Sequence, residues 1–338
     1  MSLPGPAMPY LSLVTDMDAT AAVHDFVVSS SQAFHRANRW FDNSKLAAYS
    51  NVASLVRTPR VERIFRDPDE VANWLPRNSF VLKADSGHSA KAVWACEPTL
   101  GGAWHDHIRQ RNFTENALRK AAVEAITTSR THCVFVEALL QSHGRLAPDC
   151  KVYVSNGRAV LLLLVQRSGT ELDVQFLDGN LRPLELHDLF ETAEAKQMAA
   201  PLAVHEADLQ ALARLAERLS FRHSAPFCRY DFLLSDDGGW FGEISPMCGA
   251  LMYWRPTATC AQLVMGERPA SKSGRASRSF TAQVERTARA WIGSNPSSTI
   301  DRVYYRRFLV GTDMPAPECP YERFVTLARL CPPPNGDI

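Results

Sequence analysis

The chain has 338 residues, a length that fits two to three domains around at least one substantial core. Apolar residues make up 46% and charged residues 22%, ordinary values for a globular protein. With 37 Lys and Arg against 36 Asp and Glu, the net charge of +1 excludes the global basic field expected of a nucleic-acid binder or an anionic-membrane binder. The longest unbroken apolar run, Ala159 to Val165, is too short to span a bilayer. The N-terminus, MSLPGPAMPYLSLVTDMD, has no cationic region leading into an apolar stretch, so it does not read as a secretory signal, and its first nine residues read as a loose tail. The eight cysteines contain no CxxC pair, a pattern suited to reduced, buried thiols and a cytoplasmic location rather than a disulfide scaffold or zinc site.

In chain order, residues 19–56 predict a mostly helical region closed by Arg57-Thr58-Pro59. Asp67-Pro68-Asp69-Glu70 opens a short helix, and SFVLKAD reads as a buried strand. A Gly/Ser-rich loop and a second extended stretch, KAVWAC, follow. Thr114 caps a helix running to Thr128, and HCVFVEALL is another apolar strand. KVYVSNGRAVLLLLVQR predicts a hairpin around Asn156-Gly157, and LDVQFLDGNLRPLEL continues the sheet through an Asp-Gly turn. Leu209, Leu212, Ala213, Ala216 and Leu219 recur at helical spacing between Glu206 and Ser220. Ser271 to Ser279 reads as an exposed linker, followed by a helix near Thr281 to Trp291. Hairpins mixed with separated helices predict an α+β fold.

The stretch RYDFLLSDDGGWFGEISP places two acids around an Asp-Asp-Gly-Gly turn. Centring the hairpin on Asp237 puts Asp231 opposite Glu243, Arg229 opposite Ser245 and Leu233 opposite Phe241, all on one face. Two acids about 5 Å apart at Cβ repel, which destabilises a bare sheet. A divalent cation reverses that sign, and hard oxygen ligands suit Mg²⁺. The alternatives are that the register is off by one, or that Arg229 neutralises the pair as a surface ion cluster. Ser245 offers a third oxygen, and Gly249 permits a close backbone approach.

A phosphate-binding partner is sought in FVLKADSGHSAKAV, where Lys83 ends a buried strand ahead of the small-residue loop Asp85 to Ala90. Backbone N–H groups of such a loop cradle phosphate oxygens while the lysine supplies a point charge; the alternative is a plain hairpin turn. Glu137 interrupts the strand VFVEALL and is costly there without a partner, unless the strand lies at a sheet edge and exposes it to water. His105 and His107 share a strand face with no third ligand evident, and read as a solvated loop.

The succession NSFVLKADSG, FVEALL, DCKVYVSNGR and RYDFLLSDDGGWFGEISPMCGAL resembles the ATP-grasp superfamily, most of all its teichuronopeptide-biosynthesis (TupA-like) branch, over roughly Ser44 to Glu267. The resemblance implies two α+β subdomains clamping ATP between antiparallel sheets. It divides the chain into an N-terminal mostly helical region (1–76), a small subdomain (77–142), a large subdomain with the metal site (143–268), and a linker with a C-terminal extension (269–338). By the same resemblance Lys83 contacts the nucleotide phosphates with help from Lys45, and the loop containing Ser86, Gly87, His88 and Ser89 closes over them. Glu137, Ala138, Leu139 and Leu140 read adenine. Lys151 meets the γ-phosphate, and Arg167 joins that cluster or holds a substrate carboxylate. Asp231 and Glu243 bind one or two Mg²⁺ ions, and Ser245 stands where the family usually has asparagine. Arg229 and Arg255, near the metal hairpin, are candidates to hold the acid substrate, beside Gly249.

This reading makes the protein an ATP-dependent ligase joining a small-molecule carboxylic acid to an amine or thiol through an acyl-phosphate, in peptide, natural-product or cell-surface polymer biosynthesis. The alternatives are a kinase using the same clamp on a hydroxyl, and a nucleotide-binding module without catalysis. The acid, the nucleophile and the oligomeric state, a homodimer included, are left open, as is the role of the chain after Glu267.

Overall fold

A computed structural model gives the structure of the protein and describes residues 16–265, apart from 42, 75–77, 88–91, 169–170, 192–194 and 203. The linker and helix expected after residue 270 therefore lie outside the described residues, as do His88 and Ser89. The described residues begin with two helices, α1 (Asp16–Ala37) and α2 (Lys45–Val52). It then enters a six-stranded antiparallel sheet made of β1 (Val61–Phe65), β2 (Phe80–Ala84), β3 (Val93–Pro98), β4 (Trp104–Asp106), β5 (Arg111–Phe113) and β6 (Val134–Ala138). The strand order is β1-β6-β2-β3-β4-β5, and helices α3 (Pro68–Ala72) and α4 (Glu115–Thr128) share its core.

A small hairpin, β7 (Gln141–Ser142) with β8 (Arg145–Leu146), leads to the second sheet. Its strands are β9 (Asp149–Ser155), β10 (Arg158–Ser168), β11 (Glu171–Asp178), β12 (Pro183–Leu184), the short β13 (Lys196–Gln197), β14 (Phe227–Ser235) and β15 (Gly238–Ser245). They run in the order β12-β11-β10-β9-β14-β15, with β13 paired in parallel to β11. Helices α5 (Leu186–Leu189), α6 (Glu206–Arg222), α7 (Gly249–Tyr253) and α8 (Ala258–Met265) complete the described chain. This is the α+β class with a helical N-terminal region and antiparallel sheets that the sequence predicts.

Local chemistry explains most of these elements. Asn156 and Gly157 both have positive φ, +50° and +76°, and close β9 onto β10 with Ser155 opposite Arg158, the twist a two-residue hairpin turn requires. Thr114 Oγ1 accepts from the Ala117 N–H and starts α4. On α6 the apolar residues spaced at 3.6 are all buried against β9, β10 and β14, each worth roughly 1.5–3 kcal/mol for a large side chain.

Three expectations are corrected. The 1–76 region read as mostly helical also contains β1, after the helical stretch 19–56; β1 pairs with β6 and so belongs to the first sheet. Strand β6 lies between β1 and β2, so Glu137 is not at an edge; it is 1% exposed. In the β14–β15 hairpin Arg229 faces Ser245 and Asp231 faces Glu243 as expected, but a bulge then pairs Phe232 with Phe241 and Leu233 with Trp240. Gly242 is the extra residue, and a Cβ there would sit 3.3 Å from the Asp231 carbonyl oxygen.

Candidate active site

Lys83 faces Phe135 across β2 and β6, while Glu137 faces Val81, so the lysine and the glutamate are diagonal neighbours on one face. Lys83 Nζ forms an ion pair with Glu137 Oε1. The other carboxylate oxygen accepts a 3.0 Å hydrogen bond from the Tyr49 hydroxyl, which is also 3.4 Å from Lys83 Nζ. These partners answer the desolvation cost of a buried glutamate.

Tyr49 comes from α2, one turn after Lys45, and its ring packs 6.1 Å from Phe135 of the first sheet and 6.0 Å from Phe241 of the second. A single fully buried side chain thus joins both sheets. Burial, then the charge of Glu137, drives its phenol well above the usual tyrosine range, with Glu243 and Asp85 adding to the effect. Tyr49 is neutral and donates.

The loop after β2 is stitched to the start of α2. Ser44 Oγ accepts from the Ala47 N–H at 3.0 Å and donates to Asp85 Oδ1 at 2.9 Å, and the same oxygen accepts from the Leu46 N–H at 2.8 Å. Burial raises the Asp85 carboxyl, and the hydrogen bonds from Leu46 and Ser44 oppose that rise. Lys45, almost fully buried, donates from Nζ to the Gly87 carbonyl at 2.9 Å. Gly87 has φ +125°, a conformation that favours glycine. The Ser86 hydroxyl is turned inward, accepting from the Thr131 N–H at 3.2 Å.

On the second sheet, β9, β14 and β15 are neighbours, and Lys151, Asp231 and Glu243 fall in one row across them. Asp231 takes a bidentate pair from Arg229, Nε to Oδ1 at 2.6 Å and Nη2 to Oδ2 at 2.8 Å. Lys151 Nζ donates to Oδ2 at 2.8 Å. Arg229 Nη2 also donates to Ser245 Oγ at 3.1 Å. The chain of charges extends from Lys151 to Asp149 at 3.4 Å, and from Asp149 to Arg167 at 3.7 Å. Burial alone would raise the Asp231 carboxyl, but Arg229 and then Lys151 outweigh it and hold the group below the usual carboxylate range. Among the described residues Glu243, half-buried opposite Asp231, has no ion pair or side-chain hydrogen bond.

The structure therefore gathers Lys45, Lys83, Glu137 and the loop at Ser86 and Gly87 into one cluster, and Lys151, Arg167, Arg229, Asp231, Glu243 and Ser245 into another; Tyr49 lies where Glu243 acts on it. Ala138, Leu139 and Leu140 follow Glu137 at the end of β6 and are half-buried. Gly249 begins α7 after the β15 turn. Arg255 points elsewhere: its guanidinium is largely exposed and lies 3.9 Å from Glu191. Tyr49 and Asp85 were missed in these roles, because their partners lie 88 and 39 residues away in sequence. The solvated loop expected at His105 and His107 is corrected: His105 lies in β4 and pairs with Asn112, and His107 pairs with Glu97.

The facing carboxylates of Asp231 and Glu243 are the residues that could hold a divalent ion. Among the described residues no group of three or more His, Cys, Asp or Glu side chains is arranged to hold a metal by itself. Two carboxylates facing each other, with phosphate and water oxygens filling the remaining positions, is the usual way Mg²⁺ is bound at a nucleotide.

Residues 134–263, well under half the chain, match the family model described as TupA-like ATPgrasp. This stretch contains Glu137, Lys151, Arg229, Asp231 and Glu243. No curated protein matches the chain. Among solved structures it is similar to the D-alanine–D-alanine ligase from Helicobacter pylori, at 14% identity and a TM-score of 0.38, over 74% of this chain and 61% of that one. It is also similar to the ATP-grasp ligase PsnB complexed with a phosphomimetic variant of minimal precursor, Mg and ADP, at 14% identity and a TM-score of 0.39, over 74% and 60%. The Bacillus anthracis D-alanine–D-alanine ligase complexed with ATP aligns at 9% identity and a TM-score of 0.37, over 61% and 56%. The chain spans about 60% of the length of the first two ligases. No helix among the described residues is long and apolar enough to cross a membrane.

Proposed function

We propose that the protein is an ADP-forming ATP-grasp ligase that joins a carboxylic acid to an amine or thiol. The observation that carries this reading is the row Lys151–Asp231–Glu243 across three adjacent strands, inside the stretch that matches the TupA-like ATP-grasp family. A cation beside two acids is an arrangement suited to a phosphate group with its magnesium.

In the proposed reaction an oxygen of the acid substrate attacks the γ-phosphorus of ATP, and the β–γ bridging oxygen leaves with ADP. The nucleophile then attacks the acyl carbon, and phosphate leaves. Lys83 and Lys151 offset negative charge on the phosphates, and the magnesium ion supplies further charge neutralisation when bound. Before the phosphates arrive, Lys83 is held by Glu137 and Tyr49 and Lys151 by Asp231, so both ammonium groups are pre-positioned, with little conformational freedom left to lose. Lys45 holds the Gly87 carbonyl and so anchors the loop assigned to cover the phosphates, which keeps water from the acyl-phosphate. The backbone of Ala138, Leu139 and Leu140 is assigned to the adenine. Glu137 is kept from that role by its side-chain bonds to Lys83 and Tyr49.

The test is hydroxylamine trapping with ATP, Mg²⁺ and a panel of carboxylic acids. A hydroxamate formed with equal ADP and phosphate, and absent in Glu243→Gln, supports the ligase. ADP formed with a stable phosphorylated product and no free phosphate replaces it with a kinase.

A further inference from the structure

Resting on the nucleotide reading above, we infer that Tyr49 is a positioning residue of the phosphate site. Its hydroxyl keeps Glu137 from closing with both oxygens on Lys83, and so leaves one N–H of that lysine for a nucleotide phosphate. Tyr49 lies on α2, outside the residues 134–263 that match the family model.

An ammonium group donates through each of its N–H bonds and accepts nothing. Lys83 gives one N–H to Glu137 Oε1 and a second, at 3.4 Å, to the Tyr49 hydroxyl oxygen. Its neighbours across β6 and β3 are Phe135 and Val93, whose side chains accept nothing. Among the described residues the last N–H has no acceptor, and the lysine side chain, 12% exposed, is not sealed from an arriving anion. Tyr49 sets this division. Its one proton goes to Glu137 Oε2 at 3.0 Å, because a carboxylate oxygen only accepts, and the phenol oxygen is left to accept from Lys83. Without the hydroxyl, Oε2 loses its donor. Both carboxylate oxygens can then take an N–H from Lys83, and a lysine held twice by one acid has less to offer a phosphate.

The ring fixes where that hydroxyl sits. Tyr49 is fully buried, and its ring packs on Phe135, the residue directly across from Lys83, and on Phe241 of β15. One turn earlier on α2, Lys45 Nζ holds the Gly87 carbonyl of the loop after β2. Residues four apart share a helix face, so α2 holds the loop and the strand lysine in register with each other. A satisfied buried glutamate accounts for the Tyr49–Glu137 bond alone; the second contact, to Lys83, is what ties the tyrosine to the phosphates.

The experiment compares two ligands on the full chain by calorimetry: a non-hydrolysable ATP analogue with Mg²⁺, and adenosine measured by its displacement of that analogue. Tyr49→Phe keeps the ring contacts and is checked for native circular dichroism. Leu209→Ala, in the buried face of α6, controls for lost stability. Tyr49→Phe should weaken the analogue about tenfold or more, the scale of one hydrogen bond to a charged group, and leave adenosine within about twofold. Leu209→Ala should spare both ligands. Equal losses for analogue and adenosine in Tyr49→Phe mean a packing role and overturn the inference, as does an unchanged affinity for the analogue. A phosphate-selective loss in Leu209→Ala also overturns it, since lowered stability alone then produces the effect. Failure of the wild type to bind the analogue overturns the nucleotide reading itself, and the inference with it.

Discussion

Lys83 and Glu137 meet diagonally on neighbouring strands of the first sheet, and the hydroxyl of Tyr49, from an N-terminal helix, donates to the same carboxylate. Removing either member of a buried ion pair strands the other charge, which costs about 3–5 kcal/mol. Glu137→Ala and Lys83→Ala should each lower stability by that order in urea unfolding. The double mutant should cost less than the two single effects added together. Additive losses would show that the pair is not coupled.

Tyr49 contributes ring packing and a hydrogen bond that separate by mutation. Tyr49→Phe keeps the contacts with Phe135 and Phe241 and loses a bond to a charged acceptor, worth about 1.5–3 kcal/mol. Tyr49→Ala also empties the joint between the sheets and should cost about 3–5 kcal/mol or more. Equal losses in the two mutants would contradict the division.

Asp231 and Glu243 should respond differently although they are partners across the hairpin. Asp231→Asn leaves Arg229 and Lys151 without their buried counter-charge and should cost several kcal/mol, on the order of 3–5. Glu243→Gln removes a like charge opposite Asp231 and should leave the melting temperature unchanged or slightly raised. Both should abolish turnover. A strongly destabilised Glu243→Gln would mean that this carboxylate has a structural partner.

His223 gives the fold an acid-sensitive point outside the two ion-pair clusters. Its Nε2 donates to Asn51 Oδ1 at 3.0 Å, because that oxygen only accepts, and so Nδ1 accepts from the Tyr230 hydroxyl at 3.1 Å. Burial, then the charge of Arg222, lowers its pKa to about 3 in the folded protein. The unfolded value is about 6.5, so between these limits the unfolded chain binds more protons and stability falls as pH falls. His223 accounts for about 2 kcal/mol of loss between pH 7.5 and pH 5, and denaturant midpoints in His223→Gln should show a shallower pH dependence over that window.

Some of this was legible in the sequence. Asn-Gly fixed the β9–β10 turn through its positive φ angles, and apolar spacing fixed the buried face of α6. Alternation about Asp237 placed Asp231 opposite Glu243 correctly. It failed two residues further on, because a bulge depends on how closely Gly242 approaches the neighbouring strand, and no period encodes that. Glu137 was read towards a sheet edge because β1, the strand that covers β6 on that side, was not read as a strand. The caps and pairs made by Tyr49, Asp85 and Thr131 join segments distant in the chain, which local patterns do not report. Arg255 is close in sequence to the β14–β15 hairpin but its guanidinium lies by Glu191, on the far side of α7 in sequence.

The central claim is that the facing acids bind a nucleotide-borne metal. The most direct measurement is thermal unfolding with a non-hydrolysable ATP analogue, with and without Mg²⁺, in wild type and Glu243→Gln. At a hundredfold its dissociation constant the ligand stabilises by about 2.7 kcal/mol. The wild type should gain this stabilisation only with Mg²⁺, and Glu243→Gln should lose it. No shift in the wild type at millimolar analogue, or an equal Mg²⁺-dependent shift in the mutant, would contradict the claim and leave Asp231 as the buried counter-charge of Arg229.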